Sequence, residues 1–118
     1  MKNRLLFFTI LLFFGCTKKP EQAQTALTGE QLASRGKSIY LSNCIACHNV
    51  NPSLDGAVGP AVSGSSLELL EKRIQLAQYP EGYKSKRESH QMPALPQLKN
   101  EITAIQAYLN SAEVLKMK

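Results

Sequence analysis

The feature that most constrains this 118-residue chain is the short motif Cys44-Ile45-Ala46-Cys47-His48. Residues three apart on a helical turn lie on nearly the same face, so both thiols can bond to one edge of a flat macrocycle. His48 follows directly, and its imidazole can reach a metal ion at the centre of that ring. This spacing is the attachment pattern of a c-type haem. The motif therefore predicts one covalently bound haem, with Cys44 and Cys47 as its thioether attachments and His48 as an iron ligand.

Three other uses of the same residues compete with haem attachment. A thioredoxin-like redox pair would need a β-α-β context, and the surrounding sequence has no strand pattern. A zinc site needs four ligands. Cys44, Cys47, His48 and His90 supply that number, but the adjacent Cys47 and His48 would have difficulty meeting one tetrahedral ion. A disulfide between the two thiols would leave His48 without a role.

Length and composition fit a small domain that a prosthetic group completes. A chain of this length suggests one domain. Tryptophan is absent, and part of the 43% hydrophobic content lies in the first fourteen residues. What remains is close to the size at which a polypeptide core alone is marginal, so a buried porphyrin would add the missing apolar mass.

The charge balance gives little reason to expect a nucleic-acid partner. The formal net charge is +5 and falls to +3 when Lys2 and Arg4 are removed with the leader. Two ionised haem propionates would bring the charge to about +1. A balance this small favours at most a local basic docking face.

The N-terminal residues predict export. Lys2 and Arg4 precede the apolar run Leu5–Phe14, which only Thr9 interrupts. The run is shorter than the roughly 20 residues that span a bilayer, and it fits the apolar region of a signal peptide, which is about 7–15 residues long. We therefore expect residues 1–15 to be a removed export signal.

A lipid anchor is expected at Cys16. The segment Phe13-Phe14-Gly15-Cys16 resembles the lipobox of bacterial lipoproteins, in which a small residue precedes the lipidated cysteine; Phe13 departs from the usual leucine. Lipidation would also account for a third cysteine that is otherwise an odd exported thiol. The expected location is the periplasm or the outer face of a bacterial membrane. Residues 16–28 would form a flexible tether and residues 29–118 the haem domain.

Helical periodicity predicts three main helices separated by long loops. The first opens with a capping box at Thr28 and Gln31, the second with one at Ser65 and Glu68, and the third begins near Asn100. Their apolar stripes comprise Leu32, Gly36, Ile39 and Tyr40; Leu67, Leu70, Ile74 and Ala77; and Ile102, Ile105, Leu109 and Ala112. No stretch predicts β-structure, a phosphate-binding loop or a catalytic triad, so the expected class is all-α.

From about Gly29 to Leu109 the chain resembles the class I monohaem cytochromes c. The residues that carry the resemblance are Gly36, Tyr40, Cys44, Cys47, His48, Gly59, Pro60, Met92, Pro93, Ile105 and Tyr108. In that family a glycine and an aromatic residue on the first helix cross an aliphatic and an aromatic residue on the last. The resemblance implies a cytochrome c fold with long loops around one haem c. It also implies that the carbonyl group of Pro60 binds the imidazole of His48.

The resemblance also implies that Met92, followed by Pro93, is the second axial iron ligand. A thioether opposite a histidine raises the reduction potential. His90, two residues away, is the rival ligand, and a bis-imidazole centre would have a lower potential. The same loop carries three basic residues that either surround the haem edge and steer an acidic redox partner or form a solvated loop: Lys84, Lys86 and Arg87.

The function that the resemblance implies is a one-electron carrier rather than an enzyme, because six-coordinate iron leaves no position for a substrate. The expected donor is a dehydrogenase or a quinol-oxidising complex, and the expected acceptor is an oxidase or a reductase. Two alternatives are a haem-based gas or redox sensor and an electron-transfer subunit of a periplasmic oxidoreductase. Carbon monoxide binding to the reduced protein distinguishes a sensor, which would bind it promptly, from a carrier.

Overall fold

The structure is a computed structural model and describes residues 26–88 and 91–117. Its elements are α1 (Gly29–Asn43), α2 (Leu67–Leu76), a 3₁₀ helix (Pro96–Glu101), α3 (Ile102–Leu109) and the short α4 (Ala112–Leu115). The described ranges contain no β-strand, and the expected all-α class is confirmed. Within the same ranges, no helix has the length and apolar character needed to cross a membrane.

Several sequence predictions fall outside the described residues. They concern the export signal, the lipidation site Cys16, all but the last three residues of the tether, and the rival ligand His90.

Hydrogen bonds between residues close in sequence define both ends of helix α1. The Thr28 hydroxyl accepts from the Gln31 amide at 3.3 Å, and the Gln31 side chain accepts from the Thr28 amide at 2.9 Å. This reciprocal pair is a capping box, as predicted. At the other end, the Cys44 amide donates to the Tyr40 carbonyl at 2.9 Å, so the motif turn continues directly from the helix.

Helix α2 begins one residue later than the sequence predicted. Its cap is Ser66, whose hydroxyl accepts from the Leu69 amide at 3.2 Å. Ser65 is buried, and its hydroxyl donates to the Val62 carbonyl at 2.6 Å. The predicted capping box of Ser65 and Glu68 is therefore wrong, because the preceding turn already uses the Ser65 side chain.

The last predicted helix is divided into three parts. The 3₁₀ helix Pro96–Glu101 occupies the predicted start near Asn100, and α3 begins at Ile102. The chain leaves the helix after Leu109, and Ser111 caps α4 by accepting from the Val114 amide at 3.3 Å. Ala112 therefore lies in a separate helix rather than continuing the stripe of α3.

The crossing of α1 and α3 forms the centre of the fold. A Cβ atom built on Gly36 would lie 1.8 Å from the backbone oxygen of Ala104, so only glycine allows this approach. Next to the contact, the rings of Tyr40 and Tyr108 are 5.6 Å apart. The predicted close approach at Gly36 is confirmed. The buried core comprises Tyr40, Leu70, Ile74, Ile102, Ile105, Tyr108, Leu109 and Val114.

Candidate haem-binding site

A cavity of about 340 Å³ lies between the helices and the long loops, within the size range of small-molecule and cofactor sites. It brings together all the cofactor-binding and iron-ligand residues that the sequence predicted: Cys44, Cys47, His48, Pro60 and Met92. Much of its remaining wall is apolar and shared with the core, through Tyr40, Leu70, Ile74, Ile105 and Leu109.

The two cysteines lie on a tight turn that extends α1. The amides of Cys47 and His48 both donate to the Cys44 carbonyl, at 3.2 and 2.8 Å. Both thiols are free and half-buried. Burial, and to a lesser degree the neighbouring Cys47, raises the pKa of the Cys44 thiol to about 11. A redox-active cysteine pair depends instead on a lowered thiol pKa, so the thioredoxin-like interpretation loses support.

His48 is held by the loop that carries Gly59 and Pro60. Its Nδ1 atom lies 2.8 Å from the Pro60 carbonyl oxygen, so Nδ1–H is the donor and Nε2 keeps its lone pair for a metal. A Cβ atom on Gly59 would lie 2.5 Å from Cε1 and 2.6 Å from Nδ1 of the ring. Only glycine therefore fits beside the imidazole in this arrangement.

The sequence reasoning missed this contact of Gly59 with the imidazole and identified Gly59 only as part of a family motif. The same loop is tied to the haem motif by its backbone. The amides of Val58 and Gly59 donate to the Cys47 carbonyl at 3.2 and 2.9 Å. The position of the imidazole is thus set by the Pro60 carbonyl and by the two residues that precede Pro60.

Met92 lines the cavity from the long loop between α2 and the 3₁₀ helix. Its half-buried side chain packs against the core. Three residues later, the Leu95 amide donates to the Ile74 carbonyl at 2.6 Å, which fixes the loop to the end of α2. Pro93 also lines the cavity.

Arg73 and Tyr79 form a part of the wall that sequence reasoning did not identify. Arg73 is buried, its guanidinium carbon lies 4.2 Å from the centre of the Tyr79 ring, and its Nη1 donates to the Ala77 carbonyl at 2.6 Å. A signal was present, because Arg73 lies between Leu70 and Ile74 on the apolar side of α2. The helical register by itself would therefore have predicted that the Arg73 side chain lies on the buried face of α2.

The residues that the structure describes give no support to a zinc site, and the fourth candidate ligand, His90, lies outside them. Among residues 26–88 and 91–117, no three His, Cys, Asp or Glu side chains are grouped so that they could hold a metal ion. Cys44, Cys47 and His48 therefore line one cavity without forming a compact ligand cluster of their own.

The family model for cytochrome c matches residues 33–113, more than half of the chain. The chain belongs to the cytochrome c family. Comparison with curated proteins and with solved structures gives no match. As a cytochrome c, the protein carries a covalent haem c with iron and functions as a haem-based electron carrier, in a family that is typically not enzymatic.

Three observations show that the site of this cytochrome c fits its cofactor. The pair of free thiols, Cys44 and Cys47, lies on the wall of the cavity at the spacing that haem attachment needs. The rest of the wall is largely apolar and continuous with the core, which suits a macrocycle with two hydrophobic faces. The imidazole in the same wall has one nitrogen engaged by Pro60 and one left for iron.

Proposed function

We propose that this cytochrome c is an exported, lipid-anchored, class I one-electron carrier whose haem iron is bound by His48 and Met92. The observation that carries the proposal is the pair of side chains in one cavity. His48 has its Nδ1 committed to the Pro60 carbonyl at 2.8 Å, and Met92 lines the same space. An imidazole nitrogen and a thioether sulfur are the axial pair of an electron-transfer haem.

Each residue has a distinct task in this proposal. Cys44 and Cys47 hold the haem by thioether bonds, and the haem iron supplies the one-electron chemistry when bound. The Pro60 carbonyl fixes the tautomer of His48 and increases the basicity of its Nε2. The Met92 thioether is neutral and soft, so it favours the ferrous state.

The walls of the cavity support the same function. Leu70, Ile74 and Ile105 are less than a tenth exposed and line the cavity. Apolar surroundings keep water from the iron and make the additional positive charge of the ferric state less favourable. Burial of the haem in this wall therefore raises the reduction potential in the same direction as Met92.

The proposed location rests on the N-terminal sequence. The basic start and apolar run of residues 1–15 resemble an export signal, and Cys16 follows a small residue as in bacterial lipoproteins. Diacylglyceryl and amide-linked acyl chains on Cys16 exceed the single chain that gives only marginal membrane binding. The redox partners would then be neighbouring respiratory complexes, a dehydrogenase or quinol-oxidising donor and an oxidase or reductase acceptor.

The visible spectrum of the haem-loaded protein tests the ligand pair. We expect the spectrum of a thioether-linked haem. In the ferric state it should include the far-red band that reports a methionine sulfur bound to the haem iron. Met92→Ala should abolish that band, lower the potential and admit carbon monoxide to the reduced protein. Met117→Ala is the matched control, because Met117 does not line the cavity. A far-red band that survives in Met92→Ala would exclude Met92 as the ligand.

Cell fractionation tests the anchor. Cys16→Ser should release the mature cytochrome c into the soluble exported fraction. The haem spectrum should be unchanged, because Cys16 does not belong to the haem-attachment motif from Cys44 to His48. Continued retention of the variant in the membrane would contradict lipidation at this residue.

A further inference from the structure

Two basic side chains that precede Met92 reach across to the loop that supports His48. The Lys86 Nζ atom donates to the Ala61 carbonyl at 2.8 Å, and the Arg87 Nη1 atom donates to the Val58 carbonyl at 3.1 Å. Val58 and Ala61 directly flank the Gly59-Pro60 pair. We call Lys86 and Arg87 the basic clamp. It contacts the backbone on both sides of the residues that position the imidazole.

Asp55 reinforces this contact. Its Oδ2 atom lies 3.3 Å from Arg87 Nη2, and its Oδ1 atom accepts from the Ala61 amide at 2.7 Å. The carboxylate side chain is 62% exposed, and an exposed ion pair contributes little by itself. The hydrogen bonds to the two backbone carbonyls are therefore the main part of the contact, and Asp55 orients the guanidinium group.

The segment that carries the clamp is itself anchored to Tyr79, three residues beyond the end of α2. The Ser85 hydroxyl donates to the Tyr79 hydroxyl at 3.0 Å, and the Tyr79 and Tyr83 rings stack with centres 5.4 Å apart. Beyond Met92, the Leu95 amide holds the chain to Ile74 in the same helix. Met92 thus lies between an upstream anchor on the His48 loop and a downstream anchor on α2.

We propose that Lys86 and Arg87 are positioning residues that keep Met92 on the iron by tying its loop to the loop that supports His48. The proposal rests on the axial pair proposed above. Arg87 is only five residues from Met92, so its attachment restricts the excursions by which the thioether could leave the metal. Removing the attachment gives the loop more conformational freedom and favours the dissociated state. In this arrangement Lys86 and Arg87 act mainly through hydrogen bonds within the protein rather than as a docking face.

Imidazole binding to the full-length ferric cytochrome c tests the clamp, because added imidazole must displace Met92. The far-red band reports the displacement. We expect Arg87→Ala and Lys86→Ala each to bind imidazole more tightly, and the double variant by about tenfold. A tenfold change equals about 1.4 kcal/mol, which is of the order of the net contribution of one or two hydrogen bonds.

The matched control is Arg35→Ala. Arg35 donates two hydrogen bonds to Glu101, at 2.7 and 2.5 Å, and neither residue lines the cavity. This variant loses a comparable ion pair and should keep the imidazole affinity of the wild type. Arg87→Lys keeps the charge but lacks the forked geometry, so its affinity should be intermediate. Far-UV circular dichroism is recorded for each variant to establish that the helices are intact.

Each outcome bears on one proposal or on both. Imidazole affinities within twofold of the wild type, in clamp variants that retain the far-red band, would overturn the clamp and leave the axial pair standing. An equal increase in Arg35→Ala would also overturn it, because general destabilisation would then explain the effect. A wild-type protein without the far-red band would overturn both proposals. Lys86 is an exposed residue, so Lys86→Ala provides a decisive measurement even if Arg87→Ala does not fold.

Discussion

Replacing Gly36 with alanine should separate the two helices that frame the cavity. The new Cβ atom would lie 1.8 Å from the oxygen and 2.4 Å from the carbonyl carbon of Ala104, and 2.9 Å from the Ile105 amide nitrogen. All three are backbone atoms of α3, so no change of rotamer relieves the contact. Since non-bonded carbon atoms prefer separations of about 3.5–4 Å, the helix axes would have to move apart by roughly 1.5 Å.

The expected loss of unfolding free energy in Gly36→Ala combines two destabilising contributions and one stabilising contribution. Overpacking a close contact costs about 1–3 kcal/mol, and the upper end applies here because backbone must move. Weakening the neighbouring pair of Tyr40 and Tyr108 removes about a further 0.5 kcal/mol of aromatic interaction. Alanine offsets about 0.5–1 kcal/mol of this cost, because it loses less conformational entropy than glycine when the helix forms. The free energy of unfolding should therefore fall by about 2–3 kcal/mol.

Denaturant unfolding of the haem-loaded protein, followed by circular dichroism, measures this difference. Gly29→Ala is the matched control, because it makes the same substitution in the same helix with no atom within 4 Å of the new Cβ. The control should be neutral or stabilising by up to about 1 kcal/mol. If both variants unfold with the same free energy, to within about 0.5 kcal/mol, the reasoning from the close contact is refuted.

Three further predictions concern the imidazole, a buried hydroxyl and a surface ion pair. Gly59→Ala should displace the His48 ring and alter the ferric spectrum, at a cost of about 1–3 kcal/mol in unfolding free energy; a wild-type spectrum would contradict the contact. Tyr40→Phe removes the hydroxyl that donates to a backbone carbonyl at 2.6 Å, so denaturant unfolding should show a loss of about 1–3 kcal/mol; a loss below about 0.5 kcal/mol would contradict it. The Arg35 guanidinium lowers the pKa of Glu101, so the folded state binds this proton less readily than the unfolded state does. The resulting stabilisation is present above the ordinary Glu101 pKa of 4.5 and is lost as pH falls through the lowered value. The difference in melting temperature between wild type and Glu101→Gln should therefore vanish in acid; a difference that persists would contradict the assignment.

Where structure follows from neighbouring residues, the sequence was a reliable guide. The capping box of Thr28 and Gln31 is complete within four residues, and it places the start of α1 correctly. The motif from Cys44 to His48 is also local, since its turn closes on the Cys44 carbonyl. The close approach at Gly36 could be expected from the family resemblance, in which a glycine on the first helix crosses the last helix.

The errors lie where a neighbouring turn or a distant contact selects one of several similar local options. Ser65 and Ser66 are both capable caps, and the choice falls to Ser66 because Ser65 is buried against Val62. The end of α3 has a comparable cause. The Asn110 side chain donates to the Ser65 carbonyl at 2.9 Å, which fixes the chain direction beyond the helix. Neither contact produces a periodic pattern in the sequence from which it could be predicted.

In the site, too, some residues could be predicted from the sequence and others could not. The motif residues and, through the family resemblance, Met92 could be placed from the sequence. The contacts of Lys86 with Ala61 and of Arg87 with Val58 span 25 and 29 residues between irregular loops. Basic residues in such loops have no hydrophobic pattern that predicts their direction. The sequence therefore left a docking face and a solvated loop equally open, and the structure shows bonds into the His48 loop.

The cavity and the core of this cytochrome c share their walls, and this links folding to electron transfer. Leu70, Ile74, Ile105 and Leu109 belong to the buried cluster and also line the cavity, so the haem completes the apolar core of a small domain. A ligand that binds only the folded state normally stabilises it by an amount that grows with the logarithm of its free concentration. Attachment through Cys44 and Cys47 removes that dependence, because the cofactor cannot dissociate. In the proposed site the same apolar contacts would also exclude water from the iron, so a substitution in this wall should change stability and reduction potential together.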